Sequence, residues 1–144
     1  MPSPAVAEIV VALFSVMAEL TAYPGPRDLP RIHVLSSAQM EADLCKGPCG
    51  IRAYYLDGDG IYLRADLDVA NDLKSRSILL HELVHHLQHE SGRFDKLSAC
   101  ARWLSREDEA YRVQNAYLSK MHSGIRFVFD FLPTRCRDPD AESR

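Results

Sequence analysis

The sequence contains no apolar run long enough to cross a bilayer, which would need about 20 residues in a helix. The longest such run extends from Ile9 to Ala18 and is bounded by Glu8 and Glu19. No basic segment precedes it, so it is a weak match to a signal peptide. We therefore predict no membrane span, and we interpret this stretch as part of an amphipathic helix over residues 5–20.

An excess of charge is also missing, since 17 basic and 20 acidic residues leave a formal net charge of −3. Such a chain has no electrostatic basis for binding nucleic acid, and we expect no partner of that kind. The Gly-x-Ser-x-Gly motif of serine hydrolases, a glycine-rich phosphate loop and internal repeats are absent as well. The 144 residues, 47% of them hydrophobic, fit a single domain over residues 1–144 with one core.

Cysteine is scarce, with four residues at Cys45, Cys49, Cys100 and Cys136. An even number of cysteines in a small domain predicts two disulfides. Cys45 and Cys49 enclose a short Lys-Gly-Pro loop that a disulfide can close, which leaves Cys100 and Cys136 as the second pair. Free thiols and a four-cysteine zinc site remain open alternatives. Disulfides would favour a periplasmic or secreted protein, and free thiols a cytoplasmic one.

The remaining pattern predicts an α+β domain. An N-terminal helix and a Pro/Gly-rich loop account for residues 1–30. The elements predicted after them are a strand over 31–35, a short helix over 36–44 capped by Ser36 or Ser37, hairpin strands over 51–56 and 61–64, and helices from 72 or 75 to 90 and from 95 to 121 or 122. The Asp57-Gly-Asp-Gly60 turn supports the hairpin, because glycine and aspartate tolerate positive φ. An apolar run over 125–132 follows, and residues 138–144 are predicted to be a frayed tail.

The most informative motif is His81-Glu-Leu-Val-His85, inside the first of the two long helices. Residues four apart lie on one face of a helix, so the two imidazoles can bind one metal ion. Glu82 projects beside that ion, where a carboxylate can take a proton from a metal-activated water. An exposed histidine-rich face is the simplest alternative. Glu82, however, is the only charged residue between Ile78 and Gln88, and so apolar a segment is typical of a buried helix.

A catalytic zinc site needs a third protein ligand, and the next helix offers Glu107 and Glu109. At about 100° per residue, Glu107 shares a mostly apolar face that should pack inward. Glu109 shares a mostly charged face and is expected to meet water. A carboxylate on an inward face is costly unless it is paired or bound to a metal. We therefore predict Glu107 as the third ligand, with Glu109 as the alternative.

Together, His81-Glu-Leu-Val-His85 and Glu107-Asp-Glu-Ala-Tyr111 resemble the gluzincin group of zincin metallopeptidases. In that group, a downstream Glu-x-x-Ala-(Asp/Asn) segment often supplies the third zinc ligand. The resemblance implies that the two histidines and Glu107 bind Zn²⁺ and that Glu82 is the general base. Tyr111 departs from the pattern, because the group usually has Asp or Asn there to orient a histidine ligand.

The resemblance also implies a zincin-like fold, in which a small, mostly antiparallel sheet packs on the active-site helix and a second long helix. The implied activity is zinc-dependent hydrolysis of peptide bonds in a peptide or protein substrate, through a zinc-activated water. The strand Ile61–Arg64 is expected to be the sheet edge with which an extended substrate pairs. The chain is short for the group, so half of the usual cleft is expected to be missing or to come from a partner.

Other side chains near the motif are not predicted to bind the metal. His86 is out of phase with the motif face, and His89 lies farther along the helix. Gln88 shares the motif face and can form a hydrogen bond near the site. The sequence does not select an oxyanion donor, for which the candidates are Tyr54, Tyr55, Tyr111 and His122.

Two other functions stay open for this chain. It can be a regulatory or protein-interaction module that binds zinc with little or no peptidase activity. Alternatively, zinc can serve only to hold two helices together. Glu82 argues against this last function, because a purely structural site does not need a general base.

Overall fold

The computed structural model describes residues 4–129 and Cys136. Its elements in chain order are helix α1 (Pro4–Leu20), strand β1 (Arg31–Leu35), helix α2 (Ser37–Met40), strands β2 (Ala53–Leu56) and β3 (Gly60–Arg64), and helices α3 (Leu73–Ser91) and α4 (Ala99–Lys120). The predicted α+β class is confirmed, because a three-stranded sheet packs against long helices. Within the described part of the chain, no helix has the length and hydropathy that a membrane crossing requires. The predicted tail over 138–144 and the end of the apolar run over 125–132 lie outside the described residues.

Capping side chains account for the bounds of the two long helices. Asp72 caps the start of α3 by accepting a hydrogen bond from Ser75 N at 3.0 Å. The helix ends at Gly92, whose φ of 67° is in the left-handed region that glycine adopts without strain. Ser98 caps α4 through a bond from Ala101 N, so this helix begins later than predicted, after a series of turns.

The segment between β1 and β2 begins with a helix and continues into a short loop that a disulfide closes. Ser36 caps α2 in a reciprocal arrangement with Gln39, and the helix continues as one π-helical turn over Glu41–Cys45. Cys45 is bonded to Cys49. Cys100 is bonded to Cys136, so both predicted disulfides are confirmed.

The sheet has the strand order β1-β3-β2. It is mixed, because β3 pairs antiparallel with β2 and parallel with β1, whereas the sequence predicts mostly antiparallel pairing. The predicted hairpin is confirmed, but the prediction that Ile61–Arg64 is a sheet edge is wrong. Strand β1 covers that side of β3, so the edge strands are β1 and β2. Gly60 permits this contact, since a Cβ there would lie 2.3 Å from the backbone oxygen of Arg31.

Helix α3 is buried on nearly every side from Leu79 to Gln88. Helices α1 and α4 and the sheet surround it, as is typical of a helix without a polar face. The central core side chains are Val10, Leu13 and Met17 from α1, Ile61 and Leu63 from β3, Leu79, Leu80, Leu83 and Val84 from α3, and Ala110, Val113 and Tyr117 from α4. Polar side chains on this part of α3 therefore need partners inside the protein.

Candidate metal centre

The two histidines of the motif project from α3 toward the same carboxylate on α4. His81 and His85 are 8% and 7% exposed, and their rings meet edge to face with centroids 4.9 Å apart. His81 Nε2 lies 3.0 Å from Glu107 Oε2, and His85 Nε2 lies 3.1 Å from Glu107 Oε1. The structure thus brings together the three side chains that the sequence predicts as ligands.

A glutamine side chain contacts the other nitrogen of each histidine. Gln114 Oε1 is 3.0 Å from His81 Nδ1, and Gln88 Oε1 is 2.8 Å from His85 Nδ1. An amide oxygen can only accept a hydrogen bond, so the network assigns the proton to Nδ1 in both rings. Nε2 is then the nitrogen that donates to Glu107 in the metal-free protein, and on losing its proton it can bind a metal through its lone pair.

Gln114 performs the task that the resemblance would give to an Asp or Asn at position 111. Tyr111 instead packs its ring against His81 in a T-shaped contact, with centroids 4.4 Å apart. Gln114 lies about one turn further along α4, and its Nε2 donates to Ser77 Oγ at 3.1 Å. Sequence reasoning missed this role. The available signal is an uncharged polar residue on a helix face that is otherwise mostly apolar.

Gln88 is in turn held by α4. Its Nε2 donates to Arg106 O and to Glu109 Oε1, both at 3.0 Å. Glu109 is only 8% exposed, and it also accepts hydrogen bonds from the Tyr23 hydroxyl and the Arg93 guanidinium. The expectation that Glu109 meets water is therefore wrong. Segments that follow α1 and α3 cover that side of α4, and the phase of α4 alone does not reveal them.

Glu82 is 6% exposed and lies beside the two histidines. Ligand atoms of His81, Glu82 and His85 all lie within 4.8 Å of one another, so this group could hold a metal ion. Burial raises the pKa of the Glu82 carboxyl above its ordinary value, although the two histidines oppose this shift. A carboxyl group with a raised pKa suits the exchange of protons near neutral pH.

The Glu107 carboxylate fits a cation. Burial opposes its ionisation, but hydrogen bonds from His81 and His85 outweigh burial and lower the pKa of Glu107 to about 2. Two imidazole nitrogens and one carboxylate form a donor set typical of catalytic zinc. His81 Nε2 and His85 Nε2 lie 3.0 and 3.1 Å from different oxygens of this carboxylate, so it is the chemistry of the donor set, rather than these hydrogen-bond distances, that fits zinc.

The site opens on a cleft between β2 and α4 that consists of two adjoining cavities. The first, of about 290 Å³, is lined by Gly50, Ile51, Arg52, Ala53, Tyr54, Ile78, His81, Glu82, Glu107, Tyr111, Gln114 and Phe127. The second, of about 260 Å³, is lined by Tyr54, Tyr55, Leu56, Asp57, Glu82, His85, Trp103, Arg106 and Glu107. Because Glu82 and Glu107 line both cavities, the candidate metal centre lies where they meet.

Strand β2 runs along this cleft, and no strand among residues 4–129 pairs with its outer edge. Arg64 N donates to Arg52 O at 2.9 Å, so these two residues form a hydrogen-bonded pair of the antiparallel ladder. The alternation of such pairs directs the backbone groups of Ala53 and Tyr55 away from β3. A free edge of this kind can pair with an extended peptide. Strand β2 therefore takes the position that the sequence assigned to Ile61–Arg64.

The segment that follows α4 adds a further wall to the cleft. Asn115 holds it by two hydrogen bonds of 2.8 Å, one from Phe127 N and one to Phe127 O. The ring of Phe129 stacks on Tyr111 with centroids 5.0 Å apart. Phe127 lines the first cavity, so this segment forms one of its walls, and the expectation about the rest of the cleft stays a prediction.

His86 and His89 do not line either of these cavities. His86 is buried and satisfied, because its Nε2 donates to Asp28 O at 2.7 Å and its Nδ1 accepts from the Tyr55 hydroxyl at 3.2 Å. His89 is more exposed, and its Nδ1 lies 3.6 Å from an Asp57 oxygen. Both contacts agree with a packing or surface role.

The sequence matches the model of one protein family over residues 2–141. That family is described as a domain of unknown function, DUF6647. Neither the curated proteins nor the solved structures include a match to this chain.

Proposed function

The chain belongs to the DUF6647 family, and we propose that it is a zinc-dependent metallopeptidase that hydrolyses peptide bonds. The proposed zinc ligands are His81, His85 and Glu107, and the proposed general base is Glu82. One observation carries the proposal. Two histidine Nε2 atoms and one carboxylate converge within 3.0 and 3.1 Å beside a second, buried carboxylate.

The roles of the residues follow from their contacts. A bound zinc ion supplies a Lewis acid that lowers the pKa of a coordinated water to about 7 and polarises a carbonyl. Glu82 takes one proton from the attacking water while the water oxygen bonds to the carbonyl carbon. It then gives that proton to the amine nitrogen as the carbon–nitrogen bond breaks. Gln88 and Gln114 keep the imidazole rings oriented by accepting from Nδ1.

The free edge of β2 supports an extended peptide as the substrate. Ala53 and Tyr55 offer backbone donors and acceptors at that edge. Such groups bind the backbone of a peptide whatever its side chains are. Alternate side chains of the bound peptide would then reach the two cavities on either side of the scissile bond. Sequence preference would come from those cavities, one of which contains the largely apolar set Ile51, Ile78 and Phe127.

The two disulfides support export from the cytoplasm. Cys45–Cys49 and Cys100–Cys136 would persist in an oxidising compartment and would be rare in a reducing one. We therefore propose that the protein acts in a periplasm or outside the cell. The single domain over residues 1–144 stays a prediction.

The decisive experiment compares the wild-type protein with Glu82→Gln at equal zinc content. Glu82 is not a proposed ligand, so the variant should keep its zinc while cleavage of a diverse peptide library falls by about 10²–10⁴-fold. Glu8→Gln makes the same chemical change on the exposed side of α1 and should cleave normally. Equal cleavage by Glu82→Gln would refute the role of this residue. Stoichiometric zinc without any cleavage by the wild-type protein would favour the zinc-binding interaction module instead.

A further inference from the structure

We propose that the Tyr111 hydroxyl donates the hydrogen bond that stabilises the oxyanion formed from the substrate carbonyl. This inference rests on the proposed peptidase function. It adds a catalytic residue at the position where the motif pattern would have an Asp or Asn. The resemblance itself therefore gives Tyr111 no role of this kind.

The ring of Tyr111 is held at the reaction site from two sides. Tyr111 lies one turn after Glu107 on the same face of α4 and lines the same cavity as His81 and Glu82. One side of its ring meets His81 at a centroid distance of 4.4 Å. Phe129 stacks on it at 5.0 Å with an interplanar angle of 17°. Few positions remain for the hydroxyl, which is the preorganisation that oxyanion stabilisation requires.

The Tyr111 hydroxyl is also available. Among the described residues, it has no hydrogen-bond partner, although the cavity that it lines contains two carboxylates. A tyrosine hydroxyl carries a proton at neutral pH and can act as a donor.

The other candidate donors are engaged elsewhere or directed away. The Tyr55 hydroxyl donates to His86 Nδ1. Tyr54 also lines both cavities, but Tyr55 faces α3 and side chains alternate along a strand, so the Tyr54 ring lies toward the opposite face of the sheet and is 41% exposed. His122 follows the end of α4 and lines neither cavity. The described part of the cleft thus leaves Tyr111 as the tyrosine suited to this role.

The hydrogen bond acts without transfer of the tyrosine proton. As the water oxygen bonds to the carbonyl carbon, one electron pair of the C=O bond moves to the carbonyl oxygen, which becomes an oxyanion. The water proton goes to Glu82 and then to the departing amine. Tyr111 donates more strongly to the oxyanion than to the neutral carbonyl, so it stabilises the transition state more than the bound substrate.

Tyr111→Phe tests this role, because the variant keeps the ring against His81 and removes only the hydroxyl. We expect kcat to fall by about 10²–10³-fold, the usual effect of losing one oxyanion donor. KM and zinc content should stay nearly constant. The affinity for a phosphonamidate peptide, whose tetrahedral oxygens imitate the oxyanion, should fall by a similar factor in a calorimetric titration. Tyr62→Phe removes a hydroxyl outside the cleft, where it contacts Asp59, and serves as the matched control.

The outcomes separate this inference from the function on which it rests. An unchanged kcat and unchanged phosphonamidate affinity in Tyr111→Phe would overturn the role of the hydroxyl and leave the peptidase proposal intact. A change in KM alone would also overturn it, because the bond would then be equally strong in the ground state. Wild-type protein that holds zinc but neither cleaves peptides nor binds the phosphonamidate would overturn both.

Discussion

Helix α3 carries two pairs of histidines whose nitrogens have different partners. His81 and His85 face α4, where a glutamine oxygen lies at each Nδ1 and the Glu107 carboxylate at each Nε2. His86 points instead toward β2 and the loop before β1, and it uses both ring nitrogens in hydrogen bonds. His89 lies near an exposed aspartate in the hairpin turn.

A spacing of four residues does not by itself single out His81 and His85, because His85 and His89 are also four residues apart. The partners distinguish them. At His81 and His85 a neutral acceptor holds one proton at Nδ1, so an Nε2 that loses its proton has a lone pair beside a buried carboxylate, and together they form a donor set for a cation. In His86 the nitrogen that carries the lone pair, Nδ1, already accepts from the Tyr55 hydroxyl, because Nε2 donates to Asp28 O.

The largest expected effect is the loss of bound zinc when one of the two site histidines is replaced. His81→Ala should lose stoichiometric zinc, because two of the proposed ligands would remain where a catalytic zinc site needs three. His89→Ala removes a histidine four residues from His85 and should retain zinc. Elemental analysis after dialysis against a weak chelator measures both. Zinc loss in His89→Ala alone would show that the metal lies on the other side of α3.

The next expected effect separates the two glutamates of α4. Glu107→Ala should lose zinc as His81→Ala does, since it removes a proposed ligand. Glu109→Ala should keep zinc at a lower affinity, because Glu109 acts only through Gln88. Competition with a chromogenic chelator gives both affinities. Full zinc occupancy in Glu107→Ala together with loss of zinc in Glu109→Ala would show that the third ligand is Glu109 and not Glu107.

A smaller effect is expected from the glutamines that orient the rings. Gln114→Ala should weaken zinc binding by about 10–100-fold, the usual result of removing a partner that orients a metal ligand. The histidine would lose its fixed tautomer but not its Nε2. The same chelator competition measures the change, with Gln39→Ala on α2 as a control far from the site. An unchanged zinc affinity would mean that Gln114 is only a packing residue.

The smallest expected effect concerns the support of Gln88 and depends on pH. Burial and the hydrogen bond to Glu109 raise the pKa of Tyr23 to about 12. The pKa of Tyr23 is higher in the folded protein than in the unfolded chain, so the protonated hydroxyl favours the folded state. This contribution to the free energy of unfolding is fully present below pH 10 and is lost as the pH rises toward 12. After solvent screening this amounts to about 1 kcal/mol, because Tyr23 is about half-buried. Denaturant unfolding from pH 8 to 11 should therefore show a weaker alkaline decline in Tyr23→Phe than in wild type.

Local patterns predicted those parts of the fold that depend on near neighbours along the chain. The two long helices, the hairpin and the Cys45–Cys49 disulfide are confirmed, because caps, turn residues and a short loop specify them locally. The Cys100–Cys136 disulfide is also confirmed, but it was predicted only because these two cysteines remained. The position of β1 was not predicted. Its parallel pairing with β3 brings Arg31 beside Gly60, and this contact cannot be predicted from the sequence around either residue. For that reason the sequence placed β3 at the edge of the sheet, whereas the structure places β2 there.

The candidate site follows the same rule. Helical phase correctly predicted that Glu107 contacts the histidines, because one face of α4 packs along α3. The same reasoning placed Glu109 in water, since phase on one helix cannot show that Tyr23 and Arg93 cover its other side. Gln88 was expected to form a hydrogen bond near the site and does so, but the role of Gln114 escaped prediction for a related reason. A polar residue on an apolar face has many possible partners, and only the packed structure selects the histidine.

Gln88 and Gln114 accept from the histidines through neutral amides, where an aspartate would bring a negative charge. Under the proposed ligand set, the charges of the metal, Glu107 and Glu82 sum to zero, and an aspartate at either place would make the site anionic. Imidazoles that donate to neutral oxygens are weaker bases than those that donate to carboxylates. The metal would then keep more of its Lewis acidity and exchange more readily with the surroundings.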